Sequence, residues 1–276
     1  MHVVVCIKQV PDTTNVRINP KTNTLMREGV ESIVNPFDEY ALEEGLRLKD
    51  EAGARVSVVT MGPPQAAIVL REALARGADD AWLVSSRAFG GADTLATSYT
   101  LSQAIRKICG GGAPDLVLFG KQAIDGDTAQ VGPGVSEFLG VPLVTYVKKI
   151  SMGGGAGAPE PPSFAVTTVM DDGEHVIEGR LPCVMTVLKE AHAPRFAPLE
   201  GWMKAMKAEI AVLDEKALEA DPGRIGLAGS PTKVVTIFPP PSRGGGEKVD
   251  ARGDAAAGAK AIVDFLAKKG LVKGNG

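Results

Sequence analysis

The stretch Gly120-Lys-Gln-Ala-Ile-Asp-Gly-Asp-Thr-Ala-Gln-Val-Gly-Pro133 places three glycines, a lysine and two aspartates between two structured segments. Before it runs Asp115-Leu-Val-Leu-Phe119, which reads as a buried strand, and after it Val135-Ser-Glu-Phe-Leu139, which reads as a helix. Gly120, Gly126 and Gly132 permit tight turns and close approach of the backbone. Amides from Asp127 and Thr128 onward, at a helix N-terminus, suit a phosphate or pyrophosphate. Carboxylates beside a diphosphate would repel it, so Asp125 and Asp127 are expected to cap the helix or turn, or to accept hydrogen bonds from ribose hydroxyls. The chemistry is then nucleotide binding by backbone amides, with a plain Gly/Asp turn as the open alternative.

Better-known motifs do not fit. A Walker loop needs a glycine where Asp115 stands and a Ser or Thr after Lys121, where Gln122 stands. The first apolar run, His2 to Lys8, is followed by Lys8-Gln-Val-Pro-Asp12 rather than GxGxxG, which disfavours a Rossmann dehydrogenase. GxSxG and HExxH do not occur, no Ser/His/Asp set assembles, and His175 and His192 read as surface or turn residues. Cys6, Cys109 and Cys183 are far apart and without CxxC spacing, which argues against disulfides, zinc and iron–sulfur clusters and leaves them as small buried residues. A nucleotide site without bond-making machinery points to a carrier or scaffold.

The elements that must position this loop alternate. His2–Lys8, Arg55–Thr60, Asp80–Ser85 and Asp115–Phe119 read as strands, and about 35–51, Gln65–Arg76 and Thr94–Ile108 as helices. The first helix opens on Asn35 as cap, Pro36 in the first turn, and Asp38 and Glu39 complementing the dipole. This order predicts an α/β fold, a mostly parallel sheet with helices on both faces. Residues 13–33 are expected as a hairpin excursion. Leu143–Met152, Ser163–Met170, His175–Glu178 and Cys183–Val187 are expected as antiparallel additions at one edge, and Met203–Ala211 as a helix. From Ala220 onward Pro- and Gly-rich stretches lead to an amphipathic helix, Asp254–Lys269, in an extended arm that cannot bury a core alone. We therefore divide the chain into a binding domain, 1–220, and an arm, 221–276.

The 276 residues suffice for one large α/β domain with such an arm. A formal net charge of −3, with acidic and basic residues well mixed, excludes a nucleic-acid footprint. No apolar run reaches the roughly 20 residues of a membrane span, and the N-terminus lacks a charged start, so a cytoplasmic protein without membrane insertion is expected.

Four stretches carry a resemblance: Lys8-Gln-Val-Pro-Asp12, Asn35-Pro-Phe-Asp-Glu-Tyr-Ala-Leu-Glu-Glu44, Gly120-Lys-Gln-Ala-Ile-Asp125 with Gln130 and Gly132, and Leu181-Pro-Cys-Val-Met-Thr186. They resemble the β subunit of electron transfer flavoprotein over almost the whole chain. The resemblance implies a heterodimer with an α subunit that carries the redox flavin in a mobile domain. It implies a fold of the adenine-nucleotide α-hydrolase type, with a pocket holding AMP in simple carriers and a second FAD, reduced by NADH, in bifurcating ones. Family pocket positions fall on Cys6, Asn35, Pro36, Phe37, Asp38 and Met61, and on Gln122, Ala123, Ile124, Asp125, Gly126, Asp127, Thr128, Ala129, Gln130, Val131, Gly132 and Pro133. The small residues from Gly126 to Gly132 look like the bifurcating members, so FAD is favoured, AMP is the alternative, and NAD and ferredoxin enter as exchange partners.

Pro194-Arg-Phe-Ala-Pro-Leu-Glu-Gly-Trp-Met-Lys204 resembles the family's recognition loop. The resemblance implies docking of an acyl-CoA dehydrogenase-type partner through Leu199, with Arg195 and Trp202 beside it; local packing of an irregular segment is the other reading. The arm's helix is expected to clasp the α subunit. Thr168 and His175 depart from the family, which usually has a basic and an acidic residue there. From another class, a stand-alone ATP-binding protein stays as an alternative.

Overall fold

The structure, a computed structural model, describes residues 1–12, 17–19, 24–26, 32–112, 114–153, 162–236, 244 and 246–272. In chain order, β1 (His2–Cys6) is followed by β2 (Gln9–Pro11), β3 (Arg17–Asn19), β4 (Thr24–Met26), β5 (Ser32–Val34) and α1 (Pro36–Ala52). Next come β6 (Arg55–Met61), α2 (Ala67–Arg76), β7 (Asp80–Val84), α3 (Thr94–Ile108), β8 (Leu116–Gly120) and α4 (Val131–Leu139). The remainder is β9 (Leu143–Gly153), β10 (Ser163–Met170), β11 (Gly173–Arg180), β12 (Cys183–Val187), α5 (Leu199–Ala205), β13 (Ala211–Leu213) and α6 (Ala255–Lys268).

A nine-stranded sheet runs in the order β11-β10-β9-β12-β8-β1-β6-β7-β13. From β9 to β13 every neighbouring pair is parallel, while β10 and β11 are antiparallel. Helices cover both faces, so the central strands read as unbroken apolar runs rather than alternating ones. In β1, Val3 and Val5 join one core with Leu42 and Leu46 of α1, and Val4 and Cys6 join another with Tyr99, Ile105 and Val135 of α3 and α4. Gly45 lets α1 lie close on the sheet, because a Cβ there would sit 2.9 Å from Val5 Cγ2. As the sequence suggests, β3 and β4 form a hairpin and β2 pairs with β5.

Several expectations need correction. β12 and β9 are not antiparallel additions: β12 pairs parallel with β8 and β9 parallel with β12, extending the main sheet. Local alternation cannot tell strand direction, which is set by the connections. α4 starts at Val131, so Val131, Gly132 and Pro133 form its first turn rather than the end of a loop. The segment expected as one helix, Met203–Ala211, is split. α5 starts earlier, at Leu199 after extended Pro198, with Glu200 in its first turn, whereas Ala211–Leu213 is a strand that pairs with β7 at the far edge of the sheet.

The chain forms two compact units, Met1–Ile237 and Phe238–Gly276. The boundary is later than the expected 220 because residues 221–232 are bonded into the first unit. Asp221 N–H donates to Tyr99 Oη, and Thr232 N–H and Oγ1 donate to Asp93. In the second unit α6 is capped by Asp254, which accepts from Ala257 N–H at 2.9 Å, and carries no buried residue. No described helix is long and apolar enough to cross a membrane. The Gly- and Pro-rich runs at 154–161 and 237–243 lie outside the described residues.

Candidate functional site

The chain winds outward from β1 through β6 to β7, then crosses back to place β8 on the other side of β1. Such a reversal opens a crevice at the carboxyl ends of the two strands. Cys6 is level with Phe119 of β8 and Val59 of β6, so the loops leaving β1, β6 and β8 emerge side by side. Of the sequence-derived pocket residues, Cys6 and Met61 fall at the ends of β1 and β6, with Cys6 buried.

Asn35 and Asp38 tie these loops together. Asn35 precedes α1 but makes no side-chain cap, contrary to expectation. Its amide, 0% exposed, instead donates from Nδ2 to Gln122 O (2.9 Å) and accepts from Ile124 N–H at Oδ1 (3.1 Å). One buried side chain thus satisfies both a carbonyl and an amide of the 121–130 loop. Asp38, also buried, accepts from Lys8 N–H (2.7 Å) and Gly120 N–H (3.2 Å), stapling the exits of β1 and β8 to the start of α1. The fit leaves no room at Gly120, where a Cβ would sit 2.4 Å from Asp38 Oδ1 and 2.5 Å from the Phe37 carbonyl carbon. Pro36 and Phe37 complete the first turn of α1, both partly buried.

Burial dominates the electrostatics. Desolvation pushes the Asp38 carboxyl up from its ordinary 3.8 to about 7, against its hydrogen bonds from Asn35, Lys8 and Gly120. Desolvation, with Asp38 nearby, pushes the Cys6 thiol well above its ordinary value, so it is a buried thiol rather than a nucleophile.

Neither loop aspartate caps α4, whose N-cap position is Gln130. Asp125 accepts both oxygens' worth of hydrogen bonding from Lys8 Nζ, at 2.6 and 2.9 Å, so its charge is neutralised in place. Asp127 accepts from Gln122 Nε2, and its N–H donates to Ala123 O at 2.8 Å, closing a turn. Asp127 and Ala129 are both left-handed, each at φ 53°, a conformation in which the backbone turns sharply. Among the described residues nothing accepts from the amides of Gly126, Thr128 and Ala129, and a Cβ at Gly126 would meet only open space. Gln130 is held by Thr94 Oγ1 at 2.9 Å. Gly132 and Gly134 let α4 pack tightly, since Cβ atoms there would strike Thr186 Cγ2 and Ser98 Oγ. The loop therefore fits a phosphate-bearing nucleotide: amides are free, space is open, and the nearest carboxylates are already paired.

The second candidate segment follows β12. Residues 188–198 have no regular structure and are fastened to α1 by side chains. His192 Nδ1 lies 2.5 Å from Glu44 Oε1, and Arg195 donates to Glu43 from its backbone N–H (2.9 Å), Nε (3.0 Å) and Nη2 (2.9 Å), with Asp50 2.8 Å away. Arg195, expected beside the docking leucine, is paired with the α1 carboxylates Glu43 and Asp50. Phe196 and Leu199 stand out, 96% and 78% exposed, with Met203 at 58% and Trp202 at 39%. Thr168 is buried with its hydroxyl unpartnered among the described residues, and His175 bonds Asp172 at 2.9 Å.

Sequence reasoning missed Glu43, Glu44, Arg71 and the Lys8–Asp125 pair. A signal for one existed: Ala41, Glu44 and Leu48 share a helical face, all essentially inaccessible, so Glu44 occupies a core position that calls for a buried partner.

The electron transfer flavoprotein domain family matches residues 22–218. The chain is 46% identical over 273 residues to the electron transfer flavoprotein subunit beta of Megasphaera elsdenii, covering 98% of this chain and 97% of that protein. It is 50% identical over 250 residues to the caffeyl-CoA reductase–Etf complex subunit CarD of Acetobacterium woodii, covering 90% and 92%. It is 50% identical over 244 residues to Protein FixA of Azotobacter vinelandii, covering 88% and 85%.

Proposed function

The chain belongs to the electron transfer flavoprotein β-subunit family, and on that premise we propose that it is the nucleotide-holding subunit of a two-subunit electron carrier, with FAD in the crevice between β1 and β8. The observation that carries this is the 121–130 loop: amides of Gly126, Thr128 and Ala129 without an acceptor among the described residues, left-handed Asp127 and Ala129, and open space at Gly126. A dinucleotide continuing past its first phosphate needs that room, which favours FAD over AMP.

When bound, the flavin supplies hydride and one-electron chemistry. The chain's own residues hold and orient it. Asn35 fixes the loop from behind, the amides after Asp125 meet phosphate oxygens, and Lys8 keeps the Asp125 charge from repelling them. Pro36, Phe37 and Met61 border the crevice, buried Cys6, Asn35 and Asp38 back it, and residues 122–133 form its phosphate side. Exposed Ile262, Val263 and Phe265 give α6 an apolar face suited to packing on an α subunit. Leu199 docks an acyl-CoA dehydrogenase-type flavoenzyme; a relative named as part of a caffeyl-CoA reductase complex supports a CoA-thioester oxidoreductase as partner. An FAD held here would supply hydride exchange with NADH and electron exchange with the dehydrogenase and a ferredoxin-like acceptor in the cytoplasm.

Cofactor stoichiometry of the purified αβ complex tests this. Two FAD per heterodimer are expected. One FAD, with AMP released on denaturation, would replace the bifurcating assignment with a structural AMP subunit.

A further inference from the structure

The segment after β12 is built with its polar groups facing in and its apolar groups facing out. Glu43 and Glu44 are adjacent on α1 and nearly inaccessible, and burying two neighbouring carboxylates is unfavourable unless each is matched by a cation or donor. Their matches come from the segment itself. Arg195 forks onto Glu43, and His192 meets Glu44 through both its ring and, at 3.4 Å, its backbone N–H. The next residues are seated with equal care on α2. A Cβ at Gly201 would lie 2.1 Å from Ala75 O, so only glycine lets α5 come this close. Arg71 Nη1 then donates to the carbonyl of Ala205 (2.6 Å), the last residue of α5, and to that of Ala208 (3.2 Å), three residues beyond. Between these two anchorages lie Phe196 and Leu199, the most exposed apolar side chains of the segment.

We infer that Glu43, Glu44 and Arg71 are positioning residues for partner docking: they hold Phe196 and Leu199 ready on a rigid mount, and Arg195 is an anchor rather than a partner contact. This rests on the proposal that the segment docks a redox partner. A preordered apolar pair binds without the cost of ordering a loop, so loosening the mount weakens docking while leaving the electron-transfer step unchanged once docked.

The test uses the αβ complex with Glu43→Gln, which keeps volume and removes charge, and Arg195→Lys, which keeps charge and removes the fork. Trypsin reports the clamp directly, because a guanidinium held by Glu43 and Asp50 cannot enter the protease pocket. Cleavage after Arg195 in Glu43→Gln is expected to rise several-fold over the native complex. With an acyl-CoA dehydrogenase and its acyl-CoA as electron donor, KM for the complex is expected to rise roughly three- to tenfold in each variant, kcat and nucleotide content staying unchanged. If Leu199→Ala raises KM and both clamp variants do not, the positioning role is overturned and the docking proposal survives. If Leu199→Ala leaves KM unchanged, the docking proposal fails and the positioning role with it. Should Glu43→Gln fail to assemble, Arg195→Lys on the outer side of the pair decides by the same measurements.

Discussion

β8 and β12 lie side by side and parallel, yet the segments that leave their ends are held in opposite ways. The backbone of the loop after β8 is gripped by one neutral amide, Asn35, while the amides of Gly126, Thr128 and Ala129 have no acceptor among the described residues. The segment after β12 is fixed by buried carboxylates gripping an arginine and a histidine side chain, which leaves apolar side chains outward. A surface that reads a small anion needs ordered backbone and little bulk. A surface that reads a protein needs ordered bulk and no competition from its own charges. On the roles proposed for them, the two anchoring chemistries each spare the groups that their segment would present.

Changes at the loop should therefore cost stability or nucleotide without touching docking, and changes at the docking segment the reverse. The largest effect is expected at Asp38. Its carboxyl is raised from 3.8 to about 7, so the folded state holds the proton more tightly than the unfolded chain. Its contribution is fully present below about pH 4, is lost as pH rises through about 7, and is flat above. A rise from 3.8 to about 7 corresponds to on the order of 4 kcal/mol. Urea denaturation from pH 4 to 8 should show this decline in the native protein and flatten it in Asp38→Asn, despite one lost amide bond. An unchanged slope in the variant would remove Asp38 as its source.

Gly120→Ala comes next, at about 3 kcal/mol, because the added methyl meets helix backbone that cannot step aside cheaply. The midpoint of denaturation should fall and purified complex should lose nucleotide. Asn35→Ala leaves Gln122 O and Ile124 N–H without their partner, for about 2 kcal/mol and a lower nucleotide content, while trypsin cleavage after Arg195 stays at the native rate. Faster cleavage there would break the separation between the two segments. Leu199→Ala should leave stability and nucleotide untouched and slow electron exchange roughly tenfold, the cost of about 1.5 kcal/mol of apolar burial. Lys8→Ala is the mildest: the Lys8–Asp125 pair is largely exposed, worth under about 1 kcal/mol to folding, so its main effect should be weaker nucleotide retention at low salt.

Much of the architecture could be read from local pattern. The apolar runs gave the parallel strands, Pro36 and the acidic first turn gave the start of α1, and α3 falls at Thr94–Ile108 as expected. What stayed hidden depends on partners distant in sequence. Asn35 has the form of a helix cap, and only its contacts 87 and 89 residues away show that it serves the loop instead. Asp125 is likewise paired with a lysine 117 residues earlier, so its charge could not be judged from its neighbours. Direction was illegible in β12 for the same reason, and β13 is three residues whose strand character comes from the edge of β7.

α1 carries both anchorages on one rod: Asn35 and Asp38 at its start, Glu43 and Glu44 two turns on. A helix advances about 100° per residue, so one inserted residue between Asp38 and Glu43 would swing the second pair off its segment by more than a quarter turn. Point substitutions along that stretch can be graded by what each side chain touches. A change of length cannot, for it would set the two working surfaces out of phase at once, making the residue count of this half-helix a stricter requirement than most of its chemistry.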